Sequence, residues 1–390
     1  MREAKVSAII ILLLGYTTFS MFRLSLGVAI PDIMVELSID ELRAGILYST
    51  PLWSSAVLLT PAGYLGDRFN KKSILLLGYL LLGLGVMGLA LSSSYSTTFA
   101  FLLLAGVGGG ILVPSYYTLV GESLKNVRGF AIGLAAGVYY MGGLIGSTLV
   151  GFFVSLHRWR GAYLVIGVMI LCMFILQLIF LKRTLTADPV GSRLLFFNLL
   201  KIRNIAVSAG GIFLGSVAMF AAAAWLPTFF ITAIRLDAAT AGLLLGFFFL
   251  ARVIGSITLG ALSDIFGRRT LITFSGFATA LITLPLLLTS YTFYAAVAYT
   301  ISYGFFASPF WSLFVTIPQE SVNRELVSSV TGLTQTFGLL GSAVGPIIAG
   351  ALITRCGLTL ALTFTMTLTT FTLSFLSLAL KEEKPKTVRK

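Results

Sequence analysis

Of the chain's 390 residues, 57% are hydrophobic and only 11% are charged, under half the roughly 25% charged share of a soluble domain. That excludes a soluble enzyme or binding module and leaves a polytopic membrane protein, in which a net charge of +13 speaks of membrane orientation rather than of a nucleic-acid partner. A single histidine, His157, excludes a histidine-built metal site, and two cysteines, Cys172 and Cys356, are too few for a disulfide framework; no cofactor is expected.

A bilayer crossing takes about 20 apolar residues. Applied along the chain, that length predicts twelve helices, over 6–31, 42–65, 73–91, 97–120, 129–154, 161–181, 204–230, 239–262, 270–289, 293–317, 326–351 and 358–380. The first has Arg2 and Lys5 before an apolar run, but it is too long for a signal peptide and has no small-residue cleavage site, so it is read as a span. The polar stretch 182–203, with Pro189 and Gly191, divides an N-terminal half (1–181) from a C-terminal half (204–380), and a basic tail (381–390) follows. The expected fold class is an all-α polytopic membrane protein with two pseudo-symmetric six-helix halves, working as a monomer.

Basic residues orient the spans. Twenty of them, including Arg68, Lys71, Lys72, Arg128, Arg268 and Arg269, fall in one alternate set of loops and in the termini, and five (Arg43, Arg158, Arg160, Arg235 and Arg355) fall in the other. Both termini are therefore expected on the cytoplasmic side of the cell membrane. Two basic residues are left inside the spans, Arg23 in the first and Arg252 in the eighth, whereas all 14 carboxylates fall in loops or at span ends. An arginine at mid-helix costs about 2.5 to 3.5 kcal/mol even on the lenient insertion scale. With no buried carboxylate to offset that cost, the simplest partner is an anion that comes and goes, since a guanidinium fork suits carboxylate or phosphate. The alternative for each arginine is that it caps backbone carbonyls or snorkels to the headgroup layer.

Polar side chains able to complete such a site are few. Tyr116, Tyr139, Tyr140, Tyr303 and Gln335 are the candidates, beside Tyr117, Tyr299 and Gln177; for each tyrosine a packing role is the competing reading.

The chain also repeats itself. Gly63-Tyr64-Leu65-Gly66-Asp67-Arg68-Phe69-Asn70-Lys71-Lys72 is echoed half a chain later by Gly260-Ala261-Leu262-Ser263-Asp264-Ile265-Phe266-Gly267-Arg268-Arg269. Gly133, Gly142, Gly146 and Gly151 are each answered 199 residues later by Gly332, Gly341, Gly345 and Gly350, and Glu122 by Glu320. The first three of these glycines and their echoes are expected to stack along one helix face and permit close helix contact.

The two charged loops resemble the signature loops of the major facilitator superfamily of secondary transporters. The resemblance implies two helical halves alternating around a substrate site near the midplane, and gating by Asp67, Arg68 and Arg128 in one half and Asp264 and Arg268 in the other. Arg23-Leu24-Ser25-Leu26-Gly27-Val28-Ala29-Ile30-Pro31 and Trp225-Leu226-Pro227-Thr228 resemble segments of the anion:cation symporter branch, whose members include organic-anion carriers. Arg23 also looks like the first-helix arginine of organophosphate:phosphate antiporters. Arg252 is similar to the lone eighth-helix arginine of oxalate:formate antiporters and monocarboxylate carriers. Two departures disfavour proton symport by the usual carboxylate route: the branch's acid before the arginine is Phe22 here, and its acid in the fourth span is replaced by Gly108-Gly109-Gly110. The implied cargo is a small organic anion, with a counter-transported anion or a proton as partner. Organophosphate exchange and proton-coupled efflux stay as alternatives; the glycine-proline step of drug:proton antiporters stands at Gly345-Pro346, in the eleventh span rather than the fifth.

Overall fold

The structure is a computed structural model that describes residues 2–68, 70–123, 128–181, 196–287, 292–323 and 326–381; the side chains of 2–6, 60, 63–68, 122–123, 128–133, 136, 196–197 and 328 also lie outside the described residues. The described chain is helical: α1 (Arg2–Leu37), α2 (Glu41–Arg68), α3 (Lys71–Leu91), α4 (Tyr95–Ser123), α5 (Arg128–Ser155), α6 (Trp159–Phe180), the single turn α7 (Phe196–Leu199), α8 (Arg203–Thr232), α9 (Ala238–Phe266), α10 (Arg268–Thr283), α11 (Phe293–Ala307), α12 (Pro309–Glu320), α13 (Val327–Cys356) and α14 (Leu358–Ser377).

Local chemistry sets the helix ends. Asp40 accepts the Arg43 N–H at 2.8 Å in front of α2, Asn70 accepts the Lys72 N–H in front of α3, and Thr292 accepts the Ala295 N–H in front of α11; each satisfies a donor that the first helical turn leaves free. Asp237 does the same for α9, taking the Thr240 N–H at 2.9 Å and its hydroxyl at 2.6 Å. Those bonds, the hydroxyl's first, hold the Asp237 carboxyl below the ordinary carboxylate range. Gly267 (φ 91°) and Gly357 (φ 82°) supply the positive φ that ends one helix and starts the next within a single residue.

Eleven stretches of the described residues are long and apolar enough to span a bilayer. The remaining predicted span, α2, is 28 residues long, but its described part carries Ser49, Thr50, Ser54 and Ser55, which lower its hydropathy. Two spans depart from the expected continuous form. The ninth gives way to a 3-10 turn at Leu284–Leu287 around Pro285. The tenth breaks at Ser308, because Pro309 has no N–H for the Phe305 carbonyl; the Ser308 hydroxyl donates to that carbonyl instead at 2.7 Å.

The chain forms two compact units, one of Met1–Gly191 with Leu226–Phe249 and one of Ser192–Trp225 with Leu250–Lys390. In the first, α1 packs on α5 and α6, α2 on α4, and α3 on α4 and α6. In the second, α10 packs on α14, α11 and α12, and α13 on α12 and α14.

The repeated glycines show how the same crossing is made twice. A Cβ added at Gly146 would lie 2.4 Å from the Met21 carbonyl oxygen, and one at Gly345 would lie 2.4 Å from the Val217 carbonyl oxygen. Gly142 meets Thr17 and Ser20 in the same way, and Gly341 meets Phe213. Gly332 is an exception to the expected close packing: a Cβ there would meet open space. What a Cβ at Gly133 would meet lies outside the described residues.

Candidate functional site

In the first unit the site is built on α1. Arg23 stands 16 residues from Ser7 and 14 from Leu37, the ends of that apolar span, so about 20 Å of helix lies on either side of it. It is half-buried. Its Nε–H is buried and donates to no acceptor among the described residues, and none of the ion pairs found there involves it. One helical turn before it, Phe19 presents its ring 5.6 Å from the guanidinium. Tyr48 of α2 and Tyr117 of α4 lie within electrostatic reach of the charge.

These phenols belong to a larger aromatic cluster. Tyr16 stacks on Tyr116 with ring centres 4.0 Å apart and approaches Tyr117 and Tyr139 at 5.8 Å each. Tyr139 and Tyr140 meet edge to face at 5.6 Å, and Tyr140 stacks on Phe249 at 6.4 Å. Tyr16 and Tyr116 are buried, while Tyr117, Tyr139 and Tyr140 are only half-buried, as Arg23 is. Thus Tyr116, Tyr139 and Tyr140, named from the sequence, belong to the aromatic cluster that reaches Arg23 through Phe19 and Tyr117. Tyr16, Phe19 and Tyr48 join them without a sequence signal beyond helical spacing: Tyr16 and Phe19 lie on the face of α1 that carries Arg23, four to seven residues away.

In the second unit Arg252 is 14 residues from each end of α9 and only 2% exposed. Tyr303 of α11 lies within electrostatic reach of it and stacks with Tyr299 at 5.8 Å. One turn beyond Arg252, Gly255 lets α9 approach the broken tenth span, where a Cβ would come within 2.5 Å of the Phe305 carbonyl and the Ser308 hydroxyl. Gln335 is half-buried on α13. At the start of α10, Arg268 donates to Glu320 at 2.7 Å and pairs with Asp264 of α9 at 3.5 Å. Glu320 was not among the gate residues named from the sequence, although its echo of Glu122 marks it. The side chains of Asp67, Arg68 and Arg128 lie outside the described residues.

Each unit fastens its helix ends with polar bonds. Glu36 accepts the Trp159 indole N–H at 2.8 Å and pairs with Arg160, whose guanidinium stacks over that indole. Lys72 donates to the carbonyls of Leu178 and Leu181 at the end of α6. In the second unit Arg203 donates to the Ala379 carbonyl, and away from the helix ends Trp225 of α8 donates to the Pro346 carbonyl of α13 at 3.1 Å.

An all-helical membrane chain with charged turns and an arginine in mid-membrane has the make-up of a secondary transporter. The chain belongs to the Major Facilitator Superfamily, whose family model matches residues 12–346 and 209–390. It is 23% identical to the "Probable sulfoacetate transporter SauU" of Cupriavidus necator, over 86% of this chain and 84% of that protein. It is also 23% identical to the "Cis,cis-muconate transport protein" of Acinetobacter baylyi, over 84% and 82% of the two chains. The solved structure of the nucleoside transporter NupG is similar in fold, with a TM-score of 0.80 at 14% identity over 96% of this chain and 99% of that one. The protein is a transporter of the major facilitator type and not an enzyme.

Proposed function

We infer that the cargo is a small organic anion bearing a carboxylate, and that Arg23 and Arg252 compensate its negative charge during alternating access. The observation that carries this reading is Arg23: a mid-span guanidinium, half-open, with a buried Nε that finds no acceptor among the described residues. A buried donor left unmade costs about 1 to 3 kcal/mol, and more when charged, so a cargo that supplies two parallel acceptors gains affinity there. The names of the sulfoacetate and muconate relatives support an acid as cargo.

With every carboxylate outside the spans or, like Asp32 and Glu36 of α1, within about two turns of a span end, exchange against another anion or uniport is favoured over proton symport. Tyr116, Tyr139 and Tyr140 accompany Arg23, and Tyr303 accompanies Arg252; Gln335 is the remaining candidate. Asp264 and Arg268, with Glu320 added, form the ionic lock at one end of the second unit; Asp67, Arg68 and Arg128 are its proposed counterpart. The chain works as a monomer in the cell membrane with both termini in the cytoplasm.

The test is uptake by the full chain in proteoliposomes, screened with labelled lactate, oxalate, cis,cis-muconate and phosphate esters. Arg23→Gln is expected to lower uptake of the best carboxylate at least about tenfold, which corresponds to about 1.4 kcal/mol. Uptake of a neutral compound that exceeds every acid and is indifferent to Arg23→Gln overturns the reading.

A further inference from the structure

The walls around Arg23 say more about the cargo than its charge. In the cluster that reaches Arg23, Tyr117, Tyr139 and Tyr140 are half-buried as Arg23 is, and Tyr16 and Phe19 complete an aromatic lining with ring-centre spacings of 5.5 to 6.4 Å for Tyr16–Phe19, Tyr16–Tyr117 and Phe19–Tyr139. Four helices supply this cluster in one unit: α1, α4 and α5, with the stacked Tyr140–Phe249 pair bringing in α9. A short aliphatic acid such as lactate has nothing to place against such walls. Its carboxylate would take the guanidinium while the rings kept water or one another.

A planar π-system behaves differently. Edge-to-face and offset ring pairs at these spacings are favourable beyond the area they bury, and phenol hydroxyls can donate to a carboxylate that the guanidinium already holds. The guanidinium itself lies 5.6 Å from the Phe19 ring, within the range at which a cation and a ring attract, so the charge is presented along an aromatic surface rather than in an aliphatic slot.

We propose that the cargo is a planar, conjugated carboxylate, an arene carboxylate or an unsaturated diacid, selected over saturated acids by the rings of Tyr117, Tyr139 and Tyr140 in the cluster that reaches Arg23 through Phe19 and Tyr117. This rests on the anion reading above, and the experiment separates the two. Binding to the full chain in nanodiscs is followed by competition against one labelled carboxylate, using benzoate, cyclohexanecarboxylate, lactate and benzamide as probes. Benzoate is expected to bind at least about tenfold tighter than cyclohexanecarboxylate, which matches it in size and charge but is neither planar nor conjugated. Tyr139→Leu and Tyr140→Leu are expected to shrink that ratio, whereas Tyr139→Phe, which keeps the ring, retains it. Arg23→Gln is expected to weaken both acids together and leave their ratio standing.

Equal affinity for benzoate and cyclohexanecarboxylate, with both weakened by Arg23→Gln, overturns the proposal and leaves the anion reading in place. So does a ratio that is unmoved in folded Tyr139→Leu and Tyr140→Leu protein. Benzamide binding as tightly as benzoate, with neither affected by Arg23→Gln, overturns the anion reading itself.

Discussion

A guanidinium halfway along a 31-residue apolar span carries an insertion cost that sequence alone exposes, because every charge other than Arg23 and Arg252 can be placed in a loop or near a span end. Arg23 and Arg252 were legible for that reason: one needed only the position of each charge and the length of each apolar run. What stands around them was not. Tyr16, Phe19 and Tyr48 come from two helices whose rotation about their own axes decides which side chains meet, and a hydropathy pattern fixes that rotation poorly when both faces are apolar. The same rule explains why Tyr116, Tyr139 and Tyr140 could be named only as candidates. The chemistry of Arg23 itself allows a sharper test. A lysine keeps the charge but replaces a planar fork by a point charge that cannot make two parallel bonds to one carboxylate. Arg23→Lys is therefore expected to retain folded protein and measurable carboxylate uptake, with the apparent KM raised about tenfold or more; the measurement is initial uptake rate against cargo concentration, beside Arg23→Gln. Full restoration of KM by lysine would mean that charge alone matters at this position.

Helix extents followed closely from apolar length and capping residues, as in α3, expected over 73–91 and found at Lys71–Leu91, and α14, expected from 358 and found from Leu358. The misses have local causes. Pro309 broke a span whose hydropathy is unbroken, and α1 continues past Pro31 to Leu37, since a proline deep in a helix bends it without ending it when neighbours satisfy the freed carbonyl. The repeated glycines separate into two kinds that sequence could not distinguish. At Gly146 a methyl group would press against the Met21 backbone of α1, which cannot swing aside as a flexible side chain can, whereas at Gly332 it would point into open space. Overpacking of that kind costs about 1 to 3 kcal/mol, against a gain of about 1 kcal/mol from replacing glycine by alanine in a helix. Gly146→Ala is accordingly expected to lower the thermal midpoint of the detergent-solubilised protein, and Gly332→Ala to leave it unchanged or raise it. Thermal denaturation of the two variants side by side checks this, and a lower midpoint for Gly332→Ala alone would contradict it.

At the scale of the whole molecule, the repeat and the loop charges were the most legible features. Two copies of a charged turn and of a glycine-lined crossing are what one helical unit used twice would leave in the sequence, and in each unit a repeated glycine meets a neighbouring backbone, Gly146 on Met21 and Gly345 on Val217. The proposed orientation in the membrane rests on twenty basic residues in one set of loops against five in the other. The protein's own cysteines provide the probe for it. Cys356 closes α13 beside Gly357, next to Arg355, and is exposed; in the proposed topology this is an extracellular turn. Cys172 is also exposed, but it sits 13 residues into the 22-residue α6, in the hydrocarbon layer, where a charged reagent does not reach. Intact cells treated with a membrane-impermeant maleimide should therefore label the protein once, and Cys356→Ser should abolish the label while Cys172→Ser leaves it. Labelling of Cys356 only after the membrane is opened, or only in inside-out vesicles, would place the termini outside. It would also transfer the Arg268 contacts to Asp264 and Glu320 to the extracellular mouth, where a lock on the opposite phase of the transport cycle would be required.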